Sequence, residues 1–341
     1  MRIRRPTRRQ FWAMALGVGV LGAAMSWQRF GPRTVVVSAG KFPEELVYVR
    51  SDDDIINGGA VFAPPKALAK PVAVLWVHGW GANFYSPTYV MVGRALAERG
   101  YTAITVNTRM HDIGTSAAER GGKRIRGGGY WGVTSEDARD LAAWIDFAEE
   151  RGFERVVLVG HSAGWSSVAA YQAERQDPRV VGLVLASGGV GPPPPPPNAE
   201  LLAQATRLVA DGNGDDLLRL PNRSFPSFVS AATFLDTVKT PAELSDFFGL
   251  QTQNAGITRI RCPILALFGT RGDVGGEAEL ELISSSVKRQ SSGPSRVDTV
   301  MIQRADHMYA GGEAQVAQVI GEWADRLSIP NPSKDSVSGV P

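Results

Sequence analysis

Short apolar runs rich in Val, Ile and Leu alternate with longer amphipathic stretches along this chain. The apolar runs, each predicted to be a buried strand, lie at 72–77, 101–106, 155–159, 180–185, 263–268 and 296–302. The amphipathic stretches, each predicted to be a helix, lie near 87–99, 135–151, 163–176, 277–287 and 313–327. This alternation is typical of a mostly parallel sheet covered by helices on both faces. Two earlier strands, near 45–50 and 59–63, predict an antiparallel hairpin that leads into the sheet.

One interval of about 75 residues, between Ala186 and Pro263, breaks the alternation. It begins with two glycines and six consecutive prolines at 192–197. Polyproline is a stiff, extended spacer, so we expect it to lead the chain away from the sheet into a helical cap over 190–258. The phenylalanines that give this cap apolar surface are Phe225, Phe228, Phe234, Phe247 and Phe248. The alternative is that the prolines are a ligand for another protein.

The charge is distributed unevenly, which changes the interpretation of the net charge of +2. Residues 1–33 contain seven arginines and no acid, so the remainder of the chain carries a net charge of about −5. A mildly acidic body argues against a nucleic-acid-binding protein with a basic face. One cysteine, Cys262, excludes an intrachain disulfide, and with only four histidines a Cys/His zinc site is not expected. We predict no metal and no cofactor.

The N-terminal segment has the pattern of an export signal. Two adjacent arginines at positions 8 and 9 stand after Thr7, and an uncharged run extends over 11–27. A basic start followed by a short apolar stretch is typical of such signals, and the arginine pair resembles the twin-arginine signal of bacteria. The alternative is a membrane anchor. In both cases we expect residues from 34 onward to lie outside the cytoplasm, and residues 329–341 to be a loose tail.

The sequence Gly-His-Ser-Ala-Gly at 160–164 matches the pattern G-x-S-x-G. It directly follows one predicted strand and directly precedes a predicted helix, which is the context this motif requires. Small residues on both sides of the serine allow a sharp turn that lifts Ser162 above the sheet, where it can act as a nucleophile. The alternative is a glycine-rich turn that contains a serine by chance.

A serine hydroxyl needs an adjacent base to become a good nucleophile. His161 is the neighbour of Ser162 and is expected to point away from its hydroxyl. His78 is expected to shape a loop, and His111 follows the next strand along the chain. His307 is the one histidine after Ser162, just beyond the last strand. The chain order Ser, Asp or Glu, His therefore selects it as the base.

The acid that orients the histidine should come from a loop at the same edge of the sheet. Asp273 lies four residues after Gly269, directly beyond a predicted strand. Asp306 is adjacent to the histidine and should diverge from its ring, whereas Asp298 lies within a strand. The loop after 180–186 offers Ser187 and no acid. We therefore predict Asp273 as the third member of the triad.

A developing oxyanion needs two hydrogen-bond donors. The residue after the nucleophile, Ala163, is predicted to supply one main-chain N–H. The loop after the strand at 72–77 is predicted to supply the other, from Trp80.

From about Val47 to Leu327 the chain resembles the α/β-hydrolase superfamily. The resemblance rests on the order of HG-x-G, G-x-S-x-G, a cap insertion, an Asp loop and a late His. It implies an α/β-hydrolase fold, with a mostly parallel, eight-stranded sheet flanked by helices, and a Ser–His–Asp triad. The sequence HGWGANFYSP, followed by Asn-Thr-Arg at 107–109, is similar to a branch of esterase-like hydrolases. Dehalogenases and epoxide hydrolases of this superfamily use an aspartate nucleophile, so Ser162 argues against both.

These features predict an exported serine hydrolase that cleaves a small-molecule carboxylic ester through an acyl-serine intermediate. The alternatives are an acyltransferase or amidase with the same triad, or a non-catalytic binding protein of the same fold. Phe84, Tyr85 and Trp165 are predicted to contact the substrate, unless they only pack under the cap. The loop 119–131 contains Lys123, Arg124 and Arg126, which provide positive charge for an anionic group or belong to a solvated loop. No nucleic-acid partner is expected; membrane attachment is expected only through the N-terminal segment.

Overall fold

The computed structural model describes residues 40–118, 124–191, 195–221 and 226–327. Its strands are β1 (Glu44–Arg50), β2 (Ile56–Phe62), β3 (Ala73–Val77), β4 (Thr102–Val106), β5 (Thr115–Ala118), β6 (Arg124–Gly127), β7 (Val156–His161), β8 (Val180–Ala186), β9 (Leu217–Arg219), β10 (Phe228–Ser230), β11 (Ile264–Gly269) and β12 (Val297–Ile302). Its α-helices are α1 (Pro87–Glu98), α2 (Asp137–Glu150), α3 (Ala163–Arg175), α4 (Ala199–Ala210), α5 (Ala231–Lys239), α6 (Ala242–Ser245), α7 (Glu277–Arg289) and α8 (Glu313–Ala324). Three short 3₁₀ turns lie at Lys66–Leu68, Thr134–Glu136 and Gly256–Arg259.

Eight strands form one sheet in the order β1-β2-β4-β3-β7-β8-β11-β12. β1 pairs antiparallel with β2, and β2 pairs antiparallel with β4. From β4 to β12 every neighbouring pair is parallel. The prediction of a mostly parallel, eight-stranded sheet flanked by helices is therefore confirmed. The parallel arrangement brings the carboxyl ends of β7, β8, β11 and β12 to one edge, where their loops meet.

The sheet buries both of its faces, because successive side chains of a strand point to opposite sides. In β3, Leu75 belongs to an apolar cluster with residues of α2, α3 and α7. Its neighbours Val74 and Trp76 belong to a second cluster with residues of α1 and α8. Every residue of β3 and β4 is buried. This double coverage explains why the strands are continuous apolar runs with no polar alternation.

The interval 190–258 contains α4, α5 and α6, and also a two-stranded antiparallel sheet of β9 and β10. The sequence predicted only helices here. The segment has a small apolar core of its own, which includes Leu218, Val229 and Phe234. Hydrogen bonds join it to the segment before α2: Ser230 N donates to the Tyr130 carbonyl oxygen over 2.7 Å. The Trp131 indole donates to the carbonyl oxygen of Asp215 over 2.8 Å.

Several sequence predictions lie outside the described residues. These are the export signal or anchor at 1–33, the tail at 329–341, the prolines at 192–194, Lys123 and Phe225. The antiparallel pair β5–β6 was not predicted and lies between β4 and α2. Among the helices of the described ranges, none is long and apolar enough to cross a membrane.

Candidate active site

Ser162 lies in the sharp turn between β7 and α3, with φ +53° and ψ −123°. Non-glycine residues rarely adopt such angles, and they persist only where the surrounding structure imposes them. A Cβ atom on Gly160 would lie 2.4 Å from the Gly164 carbonyl oxygen, and one on Gly164 would lie 2.3 Å from the His78 carbonyl oxygen. Both contacts are with main chain that cannot move aside. The two glycines of the motif are therefore required for the turn that presents the serine.

Ser162, His307 and Asp273 form a continuous hydrogen-bonded row. His307 Nε2 lies 3.0 Å from Ser162 Oγ, and His307 Nδ1 lies 2.8 Å from Asp273 Oδ1. The three residues follow β7, β12 and β11, whose carboxyl ends share one edge of the sheet. The Asp273 side chain is fully buried, whereas that of His307 is 29% exposed. The imidazole can therefore accept the serine proton at a position that a substrate can reach, with a buried carboxylate behind it.

The Asp273 carboxylate is held by four hydrogen-bond donors. Oδ2 accepts from Gly269 N over 2.6 Å and from Ser187 Oγ over 2.5 Å. Oδ1 accepts from Val274 N over 2.7 Å and from the His307 ring. Burial acts to raise the pKa of Asp273, but the bonds from His307, Ser187 and the two main-chain N–H groups outweigh it and hold that pKa below its usual value. The acid is therefore ionised and fixed in orientation.

Two residues that support Asp273, namely Ser187 and Tyr309, were not predicted from the sequence. Ser187 follows β8 with φ +51°, and its hydroxyl also lies 2.5 Å from the Tyr309 hydroxyl. Tyr309 is fully buried with φ +57°. Because the Ser187 proton goes to Asp273, the Tyr309 hydroxyl donates to Ser187 Oγ, and its oxygen lies 3.2 Å from the Leu267 carbonyl oxygen. A left-handed backbone at two non-glycine residues beside the acid indicates that the fold imposes this arrangement. A serine directly after a buried strand at the site edge is the one signal that pointed to it.

His161 joins the loops of the site through its buried ring. Gly79 N donates to the Tyr89 hydroxyl over 3.1 Å, and that hydroxyl lies 2.7 Å from His161 Nδ1. His161 Nε2 lies 2.8 Å from the His307 carbonyl oxygen, which can only accept, so the proton is on Nε2. Burial lowers the pKa of His161 to about 4, which keeps the ring neutral at pH 7. Both ring nitrogens of His161 thus have partners other than Ser162 Oγ, and the role of the ring in connecting two loops was not predicted.

The other two histidines lie apart from the serine hydroxyl. His78 Nδ1 contacts the Gly79 carbonyl oxygen, and His78 Nε2 accepts from Thr108 N over 3.2 Å. Burial lowers the pKa of His78 to about 4, so this neutral ring supports the loop after β3. His111 Nδ1 pairs with the Asp112 carboxylate at 2.8 Å. Both histidines therefore have structural partners of their own.

The two rejected acids also have other partners. The Asp306 carboxylate accepts from the main-chain N–H groups of Met308 and Ala310, each over 3.0 Å. Asp298 lies in β12 and accepts from Arg296 and from the Trp323 indole. Neither carboxylate contacts the His307 ring in the part of the chain that the structure describes.

The two predicted oxyanion donors lie at the segments that flank the serine. Ala163 is the first residue of α3 and is exposed, and the N–H groups of a first helical turn have no partner within the helix. A Cβ atom on Gly79 would lie 2.8 Å from Ser162 Cβ. The loop after β3 therefore passes directly against the nucleophile, with Trp80 as its next residue. The Trp80 indole donates to the Gly129 carbonyl oxygen over 3.0 Å, which fixes the ring.

The three predicted substrate contacts lie in two different places. Phe84 is held by a hydrogen bond from its N–H to the Asn107 side chain, and its ring meets Tyr85 edge to face on the side of β1 and β2. Tyr85 is exposed there. Trp165, on the first turn of α3, is buried against Phe248, with the ring planes 11° apart.

A buried guanidinium supports the loop after β4. Arg109, 3% exposed, donates to the carboxylates of Asp53, Glu136 and Asp140. The interactions tie β4 to α2 and to the turn after β1. No group of three or more His, Cys, Asp or Glu side chains is arranged to hold a metal ion within the described ranges.

Comparison with known proteins identifies the family. The model of the alpha/beta hydrolase family matches residues 74–319. No protein of curated function matches the chain. The solved structures of similar fold include the following three. Est1E from Butyrivibrio proteoclasticus with ferulic acid bound has 16% identity and a TM-score of 0.56, covering 82% of this chain and 98% of that one. The Pyrococcus furiosus esterase Pf2001 has 16% identity and a TM-score of 0.52, covering 87% and 98%.

The third, the hypothetical protein PA2218 from Pseudomonas aeruginosa, has 12% identity and a TM-score of 0.59, covering 87% of this chain and 100% of that one. Identities this low carry information on the fold alone. The family model, however, spans well over half of the sequence and includes the serine, the aspartate and the histidine. The chain therefore belongs to the alpha/beta hydrolase family.

Proposed function

We propose that this protein is a serine hydrolase that cleaves a carboxylic ester through an acyl-serine intermediate. The observation that carries the proposal is the position of His307, whose two ring nitrogens lie 3.0 Å from Ser162 Oγ and 2.8 Å from Asp273 Oδ1. A hydroxyl, a base and a buried acid in this row are what acyl transfer to serine requires.

In the proposed reaction Ser162 Oγ attacks the ester carbonyl carbon while His307 Nε2 takes the hydroxyl proton. The carbonyl oxygen becomes an oxyanion, which the main-chain N–H groups of Ala163 and Trp80 stabilise. The imidazolium, stabilised by Asp273, then protonates the leaving alcohol oxygen as the C–O bond breaks. Water attacks the acyl-serine in the same way and releases the carboxylic acid.

The test is labelling with a fluorophosphonate probe together with hydrolysis of 4-nitrophenyl acetate. Ser162→Ala should abolish labelling and lower kcat on the order of 10⁶-fold, and Asp273→Asn should lower it on the order of 10⁴-fold. The losses should not add, because the three residues act as one unit. His111→Ala, which removes a ring paired with its neighbouring carboxylate, is the control for His307→Ala. If His307→Ala keeps more than about a tenth of the activity while His111→Ala does not, the base is wrongly assigned.

The reaction type is tested by varying the substrate of the wild-type protein. A panel of esters, amides and acceptor alcohols compares hydrolysis of an ester with amide cleavage and with acyl transfer. Ester hydrolysis should dominate. Faster transfer to an alcohol than to water would favour an acyltransferase.

A further inference from the structure

A buried series of hydrogen bonds, called the Tyr89 network below, joins three loops of the site. Gly79 N donates to the Tyr89 hydroxyl, which lies 2.7 Å from His161 Nδ1, and His161 Nε2 lies 2.8 Å from the His307 carbonyl oxygen. Gly79 is in the loop after β3, His161 is the last residue of β7, and His307 follows β12. Tyr89, on the first turn of α1, therefore links the loop after β3 to the loops of the nucleophile and the base.

Only one arrangement of protons satisfies every bond of the Tyr89 network. The Gly79 N–H can only donate, and the His307 carbonyl oxygen can only accept. The neutral ring of His161 therefore carries its proton on Nε2 and accepts at Nδ1. The Tyr89 hydroxyl donates to that Nδ1 and accepts from Gly79. Tyr89 and His161 are both fully buried, so solvent does not compete with these bonds.

The main chain of Gly79 is held on both sides. Its N–H donates to the Tyr89 hydroxyl over 3.1 Å. Its carbonyl oxygen lies 2.8 Å from His78 Nδ1 and accepts from Ala82 N over 3.1 Å. The Gly79 carbonyl and the Trp80 N–H belong to one trans peptide and point in opposite directions. The bonds on Gly79 therefore set the direction of the Trp80 N–H, which is the second donor in the proposed reaction.

This loop has no side chain of its own at the point where it meets the nucleophile. A Cβ atom on Gly79 would lie 2.8 Å from Ser162 Cβ, so the position requires glycine, the residue with the greatest conformational freedom. Without the Tyr89 hydroxyl, the Gly79 N–H and His161 Nδ1 would both lose the partners that the described residues give them. Unsatisfied buried groups are costly, so the Gly79 N–H would turn towards another acceptor and move Trp80 with it.

We propose that Tyr89 is a positioning residue for the oxyanion. Its hydroxyl holds the loop after β3 in the conformation that aims the Trp80 N–H at the carbonyl oxygen of the substrate. Tyr89 acts through Gly79, without contact with the reacting atoms. Because His161 joins the same hydroxyl to the main chain of His307, the Tyr89 network also fixes the oxyanion donor relative to the base. The inference rests on the proposed function.

The experiment compares kcat/KM for 4-nitrophenyl acetate with kcat/KM for its thionoester, in which sulfur replaces the carbonyl oxygen. 4-Nitrophenolate is a good leaving group in both compounds. Sulfur is a weak hydrogen-bond acceptor, so the thionoester gains little from the oxyanion donors. Removing a whole donor costs about 10²–10³-fold, so Tyr89→Phe, which only displaces one, should lower kcat/KM for the ester about tenfold or more. The loss for the thionoester should be much smaller.

Tyr101→Phe is the matched control for this change. Tyr101 is also buried, and its hydroxyl lies 2.6 Å from an Asp325 carboxylate oxygen. It directly precedes β4, at the amino end of the strand and thus at the opposite edge of the sheet from the site. Tyr101→Phe should lower the melting temperature and leave kcat/KM for both substrates unchanged.

A pair of variants at His161 tests the hydrogen bond at the other side of the Tyr89 hydroxyl. His161→Asn keeps an acceptor near the position of Nδ1, whereas His161→Leu has the same shape without it. Both variants lose the bond to the His307 carbonyl oxygen. The ratio of ester to thionoester kcat/KM should therefore be about fivefold higher in His161→Asn than in His161→Leu, the effect of one hydrogen bond of ordinary strength.

The outcomes separate the two proposals. If the wild type hydrolyses no ester and does not react with the fluorophosphonate, the proposed function fails and the role of Tyr89 fails with it. If the wild type hydrolyses the ester and Tyr89→Phe keeps its kcat/KM, or loses equally on both substrates, the positioning role alone is wrong. Should Tyr89→Phe not fold, the pair at His161 decides: equal ratios in His161→Asn and His161→Leu would overturn the inference.

Discussion

Replacing Ser187 by alanine should slow the enzyme although the residue is not in the triad. Its hydroxyl, 1% exposed, donates to Asp273 Oδ2 over 2.5 Å. A hydrogen bond to a charged group contributes about 1.5–3 kcal/mol, and each 1.4 kcal/mol is a factor of ten in rate. Positive charge forms on His307 in the transition state, where a correctly oriented carboxylate matters most. Because Asp273 keeps three other donors, we expect a loss in kcat of about tenfold, at the lower end of that range, with little change in KM.

The assay is steady-state hydrolysis of 4-nitrophenyl acetate together with thermal unfolding. Ser286→Ala is the matched control, because Ser286 is equally buried and its hydroxyl accepts a hydrogen bond from Arg289 in the second half of α7. It should lower the melting temperature as much as Ser187→Ala does, by a few degrees, and leave kcat unchanged. Wild-type kcat in Ser187→Ala, or an equal loss of kcat in both variants, would refute the argument that the hydroxyl positions the acid.

Three further predictions follow from single residues. Gly164→Ala places a Cβ atom 2.3 Å from the His78 carbonyl oxygen and should lower the melting temperature markedly. Gly214→Ala is the control: its Cβ atom would lie 3.5 Å from the nearest side-chain atoms, so the melting temperature should change little. Equal melting temperatures of the two variants would contradict this reasoning. Burial raises the pKa of Asp137 to about 7, so its carboxyl stays protonated in the folded protein while the unfolded chain ionises. The free energy of unfolding of the wild type should therefore fall by about 4 kcal/mol relative to Asp137→Asn between pH 4 and 7 and change no further above pH 7, which urea titrations at several pH values would measure. Replacing Arg8 and Arg9 by lysine should leave the protein in the cytoplasm, as cell fractionation would show; unchanged export would contradict the twin-arginine route.

The strands of the parallel sheet could be predicted from the sequence because burial on both faces leaves a continuous apolar run. β3, β4 and β11 are such runs, and each begins and ends within about two residues of its predicted position. The pairs β5–β6 and β9–β10 could not be predicted in the same way. Their strands are only three or four residues long, and partners across the pair define them more than any local pattern does.

Some residues of the candidate site could be predicted from the sequence, and others could not. Ser162 stands in a local motif, and chain order then selects His307 and Asp273, which the structure brings into one row. No local motif assigns the partners of Ser187 or of His161. Ser187 contacts Asp273, 86 residues away, and His161 contacts the main chain of His307, 146 residues away. Contacts at these separations are set by the order of strands in the sheet, which a single sequence does not state.

The distance along the chain between the members of the row also determines when a hydrolase of this kind first becomes active. Ser162 and His307 are 145 residues apart, and β12, the edge strand of the sheet, must pair with β11 before the histidine reaches the serine. Closing a loop of that length costs entropy before any contact repays it. A growing chain therefore has no base for its serine until residue 307 has been made. The order of the strands in the sheet thus delays assembly of the row of Ser162, His307 and Asp273 until late in synthesis.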